Sequence, residues 1–247
     1  MSRARYLLID ISNSFTKLAF SSPTRLSRPR RIATADLGPE FLRRLLRRDS
    51  VDLLVVSSVV PAKNRAIRQA ARDRRVLWLT PTLNLGVGVE YPAPKTIGAD
   101  RLANAAAVAV LYGTPAIVVD FGTAVTFDIV SERNAYVGGV IAPGLESMTN
   151  FLYQRTALLP KLSLREPRSA VGKSTEGAMM AGAIFGYRGL VREIIRRIKA
   201  ERFPRQRVQV IATGGYARLI ARQLPEIDAV HPNLTLEGLR IVAVLNK

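Results

Sequence analysis

Two segments of the chain share one pattern of apolar and polar residues. Residues 6–20 (YLLIDISNSFTKLAF) and residues 116–130 (AIVVDFGTAVTFDIV) both begin with an apolar run that ends in an aspartate. A short polar turn follows, and a second segment with alternating apolar residues leaves that turn. Each segment therefore predicts a β-hairpin. Because the pattern occurs twice, we expect two similar halves that each begin with a hairpin.

The segments after each hairpin predict alternating strands and helices. In the first half, strands are predicted at 31–34, 51–57 and 76–79, and helices at 39–48 and 62–72. In the second half, strands are predicted at 136–141 and 208–212, and helices at 145–156, at 175–197, and from residues 216 and 234 onwards. A hairpin followed by such alternation indicates an α/β fold.

One further helix is predicted between the two halves. Residues 98–113 (GADRLANAAAVAVLYG) are rich in alanine and leucine and close with a glycine, which is typical of a helix of about three turns. We therefore expect an N-terminal half at 1–113, which includes this helix, and a C-terminal half at 114–247.

The composition excludes several kinds of active site. The 247 residues are 48% hydrophobic, enough for a substantial core, and they include no cysteine and one histidine, His231. Disulfides, thiol nucleophiles, zinc–thiolate sites and metal motifs with two histidines are therefore excluded, and a histidine-assisted hydrolase would need His231. The short first apolar run is broken by Asp10, so we expect no signal peptide or membrane span and a cytoplasmic protein.

The chain is strongly basic, with 37 Lys+Arg against 19 Asp+Glu and a formal charge of +18. Such a charge attracts phosphates, acidic metabolites and nucleic acid alike. The arginine runs lack the interleaved aromatic residues on which bases stack. We therefore interpret them as solvated helix faces and expect no nucleic-acid partner.

The aspartates that end the two apolar runs, Asp10 and Asp120, are the first candidates for chemistry. Each is followed by a tight turn of small residues, Ser12-Asn13-Ser14 and Gly122-Thr123-Ala124. A carboxylate beside such backbone N–H groups suits a magnesium-bound phosphate. The alternative is that each aspartate only forms hydrogen bonds with its own turn. The duplication favours the functional interpretation.

Asp100 and Arg101 lie at the start of the predicted central helix. Asp100 has a structural interpretation as the N-cap and a functional one as a proton acceptor, ionised because the helix dipole lowers its pKa. Arg101 offers a planar fork for a substrate carboxylate, but a structural ion pair would explain it equally well.

Two other motifs have more than one interpretation. GKST at 172–175 lacks the glycine and the preceding strand of a Walker A motif, so that motif is rejected, and Ser174 and Thr175 are left as helix caps or ligand contacts. The pair Gly214-Gly215 is typical of a close backbone approach to a ligand or of a simple strand-to-helix turn.

Taken together, the motifs resemble type III pantothenate kinases in order and spacing over nearly the whole chain. The most specific are Asp120-Phe121-Gly122-Thr123-Ala124 and the run Tyr91-Pro92 to Gly98-Ala99-Asp100-Arg101. The others are Asp10-Ile11-Ser12-Asn13-Ser14, Thr126 and Asp128, Gly138-Gly139 to Pro143-Gly144, Lys173-Ser174-Thr175 with Gly182, Thr213-Gly214-Gly215, and His231-Pro232-Asn233-Leu234 to Gly238-Leu239.

The resemblance implies a duplicated, actin-like (ribonuclease H-like) ATPase fold and a homodimer. It also implies phosphorylation of pantothenate by ATP with Mg²⁺ and a monovalent cation, K⁺ or NH₄⁺, as the first step of coenzyme A synthesis. Alternatives of other kinds are a catalytically weak ATP-binding regulator with a basic nucleic-acid surface, and a kinase of the same fold for another small hydroxylated acid.

The resemblance also implies roles for individual residues. Asp100 would be the catalytic base, Asp120 would bind the monovalent cation, and Asp10 would hold Mg²⁺ directly or through water. The expected ATP contacts are Asp10, Ile11, Ser12, Asn13, Ser14, Phe15, Thr16, Lys17 and Thr123. The expected pantothenate contacts are Tyr91, Gly98, Ala99, Asp100, Arg101 and Thr175.

The first loop departs from the family pattern Asp-x-Gly-Asn-Thr, because Ser12 replaces the glycine and Ser14 the threonine. Ser14 keeps a hydroxyl group. A serine side chain at position 12 restricts close phosphate approach, and it costs about 1 kcal/mol or more where φ is positive. We therefore expect Ser12 to weaken ATP binding and Ser12→Gly to tighten it.

Overall fold

The computed structural model describes residues 5–48, 51–72 and 74–247. By contacts the chain divides into two units. The first contains the chain up to Thr114 together with Val130–Gly138 and Asn233–Lys247, and the second contains Pro115–Ile129 and Gly139–Pro232.

The strands are β1 (Tyr6–Ile11), β2 (Phe15–Ser21), β3 (Arg30–Ala33), β4 (Leu53–Ser58), β5 (Arg75–Trp78), β6 (Gly88–Val89), β7 (Ala116–Phe121), β8 (Ala124–Val130), β9 (Ala135–Pro143), β10 (Gln209–Gly214) and β11 (Ala229–Val230). The α-helices are α1 (Pro39–Arg48), α2 (Pro61–Ala71), α3 (Ala99–Leu111), α4 (Leu145–Arg155), α5 (Thr175–Arg202), α6 (Ala217–Ala221) and α7 (Leu234–Leu245).

A five-stranded sheet of order β3-β2-β1-β4-β5 forms the centre of the first unit. Strand β1 is antiparallel to β2 and parallel to β4, and all six of its residues are buried. Leu7, Ile9 and Ile11 form one core with the leucines of α1 and with Ile67 of α2. Alternation along the strand turns Asp10 to the other face of the sheet.

Helices α3 and α7 pack against each other within the first unit, and α7 also packs on β1 and β4. The approach is close, because a Cβ on Gly238 would collide with the backbone carbonyl of Ala103. A buried hydrogen bond from Thr235 Oγ1 to Asn104 Oδ1, at 2.9 Å, joins the two helices. The C-terminal helix therefore belongs by contacts to the unit that begins the chain, unlike its place in the sequence repeat.

The second sheet has the order β11-β10-β7-β8-β9-β6. Strand β7 pairs in parallel with β10, and the register places Thr213 beside Asp120. Strand β7 thus occupies the place in this sheet that β1 occupies in the first, with its hairpin partner on one side and a parallel strand on the other.

The structure confirms the two hairpins, the central helix and the β/α alternation, and α1 has the predicted bounds. Two short strands were missed, β6 and β11, because two residues give no periodicity. Helix α5 extends five residues beyond its predicted end at 197, since its amphipathic pattern continues to Arg202. Within the described ranges, none of the helices has the length and apolar character needed to cross a membrane.

Candidate functional site

Asp10 lies at the carboxyl end of β1 in the first unit and is 5% exposed. The strand register places it between Lys17 of β2 and Ser57 of β4. The Ser57 hydroxyl is fully buried and has no hydrogen-bond partner among the described residues. A carboxylate, an ammonium group and a hydroxyl are therefore neighbours at the point where the chain turns from β1 into β2.

Two hydrogen bonds from Thr34 stabilise the turn that follows Asp10. The Thr34 N–H donates to the Ser14 carbonyl at 3.0 Å, and its hydroxyl donates to the Ser12 carbonyl at 2.7 Å. The Ser12 N–H donates to the Phe15 carbonyl at 3.2 Å, and residues Asn13 to Phe15 are exposed. Carbonyl groups of the turn are thus used internally, while its outer side faces solvent.

Among the described residues, the non-glycine residues with a positive φ are Arg72 and Asn134. Ser12 is not one of them. The backbone strain that would have penalised serine at this position is therefore absent. The expectation of weaker ATP binding loses that physical basis, and Ser12→Gly has no strain to relieve. Phe15, the last exposed residue of the turn, is 40% exposed and carries the Arg31 guanidinium 3.5 Å above its ring.

Asp120 repeats this arrangement in the second unit. It lies next to the end of β7, with Thr213 of β10 beside it in the register. The Thr213 hydroxyl, like that of Ser57, is fully buried without a hydrogen-bond partner among the described residues. Each hairpin therefore presents one strand-end carboxylate beside one buried hydroxyl.

Glycines make room for Asp120. Gly214 has φ +93°, and a Cβ there would lie 2.5 Å from Asp120 Oδ1 and 2.6 Å from the Phe121 backbone. A Cβ on Gly144 would collide with the Thr123 carbonyl, which accepts hydrogen bonds from the Gly144 N–H at 3.1 Å and from Ser147 Oγ at 2.7 Å. The close approach at Gly214 is therefore to the side chain of Asp120, so this glycine is more than a simple turn residue.

Asp100 is the second residue of α3, and the N-cap is Gly98, which has no side chain with which to cap. The N-cap interpretation of Asp100 is therefore wrong. Its Oδ1 accepts the Arg101 N–H at 2.9 Å, and a Cβ on Gly98 would lie 2.6 Å from the same oxygen. The carboxylate is half-buried over the first turn of the helix, where the helix dipole favours negative charge.

Arg101 and Tyr91 are linked by Tyr136, a residue that the sequence analysis did not single out. The Tyr136 ring is 1% exposed, with the Arg101 guanidinium 5.7 Å from its centroid and the Tyr91 ring edge-on at 6.1 Å. The Glu90 N–H donates to the Tyr136 carbonyl at 2.9 Å, which fixes the segment that leads into Tyr91. Gly138 has φ +136°, and a Cβ added there would lie 3.7 Å from the Tyr91 ring.

Thr175 is the exposed first residue of α5, and Ser174 is the N-cap whose Oγ accepts the Gly177 N–H at 3.1 Å. The capping interpretation is thus confirmed for Ser174. Of the predicted site residues, the first unit contains residues 10–17, Tyr91 and residues 98–101. The second unit contains Asp120, Thr123 and Thr175. Among the described residues, no three carboxylate or histidine side chains are grouped to hold a metal.

Comparisons with known proteins bear on this arrangement. Residues 6–197 match the family model of type III pantothenate kinase. The type III pantothenate kinase of Akkermansia muciniphila is 48% identical over 242 residues, which cover 98% of this chain and 99% of that protein. The type III pantothenate kinase of Methylacidiphilum infernorum is 44% identical over 236 residues, covering 96% of this chain and 87% of the relative.

Solved structures support the fold at low sequence identity. A putative Baf family transcriptional activator from Campylobacter jejuni has a TM-score of 0.62 at 17% identity and covers 96% of this chain and 97% of that one. A putative 2-dehydro-3-deoxygalactonokinase from Sinorhizobium meliloti has a TM-score of 0.62 at 14% identity, with 96% and 95% covered. The predicted duplicated, actin-like fold is confirmed.

The neighbouring glycines 214 and 215 provide a matched test of the Asp120 arrangement. We expect Gly214→Ala to lower the melting temperature by roughly 4–8 °C, because a strained φ and a collision with Asp120 together cost at least about 2 kcal/mol. Gly215→Ala is the control, since a Cβ at that position meets nothing within 4 Å. Equal melting temperatures for the two variants, measured by calorimetry, would contradict the proposed packing.

Proposed function

The chain belongs to the type III pantothenate kinase family, and from this premise we propose how its residues perform the reaction. The activity is transfer of the γ-phosphoryl group of ATP to pantothenate, the first step of coenzyme A synthesis. The observation that best supports the assignment of residues is the cluster of Asp100, Arg101, Tyr136 and Tyr91 at the start of α3.

Asp100 is the proposed base. Its carboxylate accepts the proton of the pantothenate hydroxyl while the hydroxyl oxygen bonds to the γ-phosphorus and the bond from that phosphorus to the ADP oxygen breaks. The half-buried position on the first helical turn supports this role, because one carboxylate oxygen is held by the Arg101 N–H at 2.9 Å. That hydrogen bond orients the side chain before the acceptor arrives.

Arg101 and Tyr91 are the proposed contacts to the rest of pantothenate, together with Gly98, Ala99 and Thr175. The carboxylate of pantothenate suits the planar fork of an arginine. Tyr91 is 37% exposed, so part of its side chain is open to an acceptor while its ring packs edge-on with Tyr136. Gly98 lets the acceptor approach the carboxylate of Asp100 without a side chain in the way.

The turn from Asp10 to Lys17 is the proposed ATP phosphate site, with Thr123 as a contact from the second hairpin. Asn13, Ser14 and Phe15 are exposed while the carbonyls beneath them are bound to Thr34. A turn held this way keeps its outer N–H groups in a fixed place for phosphate oxygens. Lys17 adds a positive charge beside Asp10 in the register.

Magnesium fits the donor set at Asp10. Mg²⁺ in kinases is held by one or two carboxylates together with phosphate oxygens and water, and a protein cage of three carboxylates is not needed. Asp10 supplies one carboxylate at a strand end, directly or through water, which matches that requirement. When bound, the ion offsets the charge on the phosphates.

Asp120 is proposed to help bind a monovalent cation, K⁺ or NH₄⁺. Its carboxylate lies close to the backbone of Gly214 and Phe121, where the absence of a Cβ leaves room for a compact arrangement of oxygen atoms. Carbonyl oxygens are the ligands that potassium prefers. The turn beside Asp120 contains the Gly122 carbonyl within the same unit, while the Thr123 carbonyl already accepts two hydrogen bonds.

Asp100→Asn is expected to lower kcat by roughly 10²-fold or more while the dissociation constant for ATP stays within about 2-fold, because only proton acceptance is removed. The measurement is ADP release with ATP and Mg²⁺, with and without pantothenate, beside ATP binding by calorimetry. A turnover near that of the wild type would exclude Asp100 as the base.

The wild-type protein in the same assay separates the other possibilities. ADP release that requires pantothenate and is faster in potassium than in sodium buffer supports both the proposed reaction and the proposed cation site. Equal rates in the two buffers exclude a potassium requirement. ATP binding without pantothenate-dependent release would instead favour the alternative of an ATP-binding regulator.

Tyr136 is expected to act through its ring, as a positioning residue for Arg101 and Tyr91. Tyr136→Leu removes two ring contacts worth about 1–2 kcal/mol together, so the KM for pantothenate should rise about 5-fold to 30-fold, with kcat and the KM for ATP little changed. Tyr136→Phe keeps the ring and should restore the wild-type KM. Trp78→Leu, which removes the ring 5.4 Å from Arg68, is the control and should leave the KM for pantothenate unchanged.

The protein is proposed to form a homodimer through an apolar face of the second unit. The face is formed by α4, by the first half of α5 and by the end of β9, and it contains a groove of about 550 Å³. Its exposed side chains are Ile141, Met148, Phe151, Leu152, Tyr153 and Phe185. Side chains of this size, each about half exposed, offer on the order of 600 Å² of apolar surface, close to the roughly 800 Å² per partner of a stable interface.

The occupant best suited to this face is a second copy of the chain. A two-fold interface pairs the same patch with itself, so an uncharged patch avoids repulsion between two chains of formal charge +18. Of the charged residues bordering the face, Glu146 accepts a hydrogen bond from Tyr216, Arg165 pairs with Glu176, and the Arg155 guanidinium lies 5.7 Å from the centroid of the Phe151 ring. On α5, Gly182, Gly186 and Gly189 leave open space in which another helix can approach.

Light scattering tests the dimer. The wild-type protein should have twice the chain mass of 27.1 kDa, and Phe151→Lys should shift it to the single-chain mass, because a buried unpaired ammonium group opposes association. Val110→Lys changes another exposed apolar residue, on α3, and should leave the dimer intact. A wild-type monomer, or a dimer of the Phe151→Lys variant, would overturn this interface.

A further inference from the structure

Helices α1 and α2 carry a group of exposed arginines and almost no acidic residues. The two helices contain a single acidic residue, Glu40, at the start of α1. The exposed cations are Arg44 and Arg47 on α1 and Arg65 and Arg68 on α2. Among the described residues, none of these four forms an ion pair with an aspartate or glutamate. We call these four side chains the basic face.

Several exposed arginines of the second unit do have a carboxylate partner. Arg165 pairs with Glu176 at 3.0 Å, Arg192 with Glu226 at 3.0 Å, and Arg196 and Arg197 share Glu193 at 2.8 and 2.7 Å. Hydrogen bonds from these last two arginines lower the pKa of Glu193 to about 2. Other exposed arginines of this unit, such as Arg202 and Arg218, have no carboxylate partner among the described residues, but the four of the basic face lie on two neighbouring helices that carry one acidic residue between them.

The basic face is built on a rigid support. The inner leucines of α1, Leu42, Leu45 and Leu46, are buried in the core of the first sheet, and α1 packs directly against α2. Arg43 Nη2 donates to the Gln69 carbonyl at 3.4 Å and bridges the two helices. The four exposed arginines of the basic face therefore extend from two packed helices and not from a loop.

We propose that the basic face binds the phosphate backbone of duplex DNA without sequence preference. Four planar guanidinium groups on two adjacent helices match a dense, regular array of phosphate oxygens. A single strand fits less well, because no exposed aromatic residue lies on the described parts of α1 and α2 for bases to stack on. An anionic membrane also fits less well, since these helices expose no large apolar side chain for insertion.

This inference revises the sequence-based expectation of no nucleic-acid partner, and it is independent of the kinase activity. That expectation rested on the absence of interleaved aromatic residues, which argues against base stacking. Contact with phosphates needs no aromatic residues. What the sequence did not contain was which arginines have carboxylate partners in the fold.

The test compares two variants with the same change in charge. Arg44, Arg47, Arg65 and Arg68 are replaced together by glutamine in the first, and Arg165, Arg192, Arg196 and Arg197 in the second. Binding of a fluorescent 20-base-pair duplex is measured by anisotropy between about 50 and 200 mM salt. For the wild type we expect the logarithm of the affinity to fall linearly with the logarithm of the salt concentration.

The first variant is expected to lose at least 10-fold in affinity at 100 mM salt and to reduce the salt slope by about 3–4, since each phosphate contact contributes about 0.9. The second variant should keep the wild-type slope within about 1. Circular dichroism and the melting temperature of both variants confirm that each is folded.

Three results would overturn the proposal. The first is an equal loss of affinity in the two variants, which would mean that net charge and not this face determines binding. The second is the absence of duplex binding by the wild type at 50 mM salt. The third is tighter binding to a single strand of the same length, or to vesicles with an anionic lipid, than to the duplex.

Discussion

A carboxylate at or next to the end of a buried strand is the constraint on which both halves of the molecule depend. Asp10 is the penultimate residue of a strand whose six residues are all buried, and Asp120 is the penultimate residue of the equivalent strand of the second sheet. Removing a carboxylate from water is costly unless polar groups surround it. The hairpin turn that follows each aspartate brings backbone polar groups to it, and the parallel strand beside it brings a hydroxyl, Ser57 or Thr213.

Glycines allow the carboxylates of Asp120 and Asp100 to lie close to the backbone. At Gly214 and Gly98 a single added carbon would lie 2.5 and 2.6 Å from the carboxylate oxygens of Asp120 and Asp100. The two positions differ in one respect, because only Gly214 combines the close approach with a positive φ. A substitution at Gly98 would therefore act mainly through the orientation of Asp100, whereas one at Gly214 would also strain the backbone.

The sequence predicted the features that depend on local pattern. The hairpins, their aspartates and α1 follow from periodicity and turn composition within a few residues. Tyr136 was missed because its importance comes from contacts with Tyr91 and Arg101, which are distant along the chain. The φ of Ser12 was also beyond the sequence, because the hydrogen bonds of Thr34 help to set the shape of its turn.

The distribution of charge is the feature that the sequence describes least completely. Residues 1–113 contain 19 Lys+Arg and 8 Asp+Glu, and residues 114–247 contain 18 and 11, so both halves are basic. By these counts of charged residues, the two halves are similar. The fold distinguishes individual arginines, because some are in ion pairs, including Arg188, which is 4% exposed and lowers the pKa of Glu166 through two hydrogen bonds. Four exposed arginines on α1 and α2 face a single glutamate on the same helices, so this surface attracts anions, ATP included, over a long range.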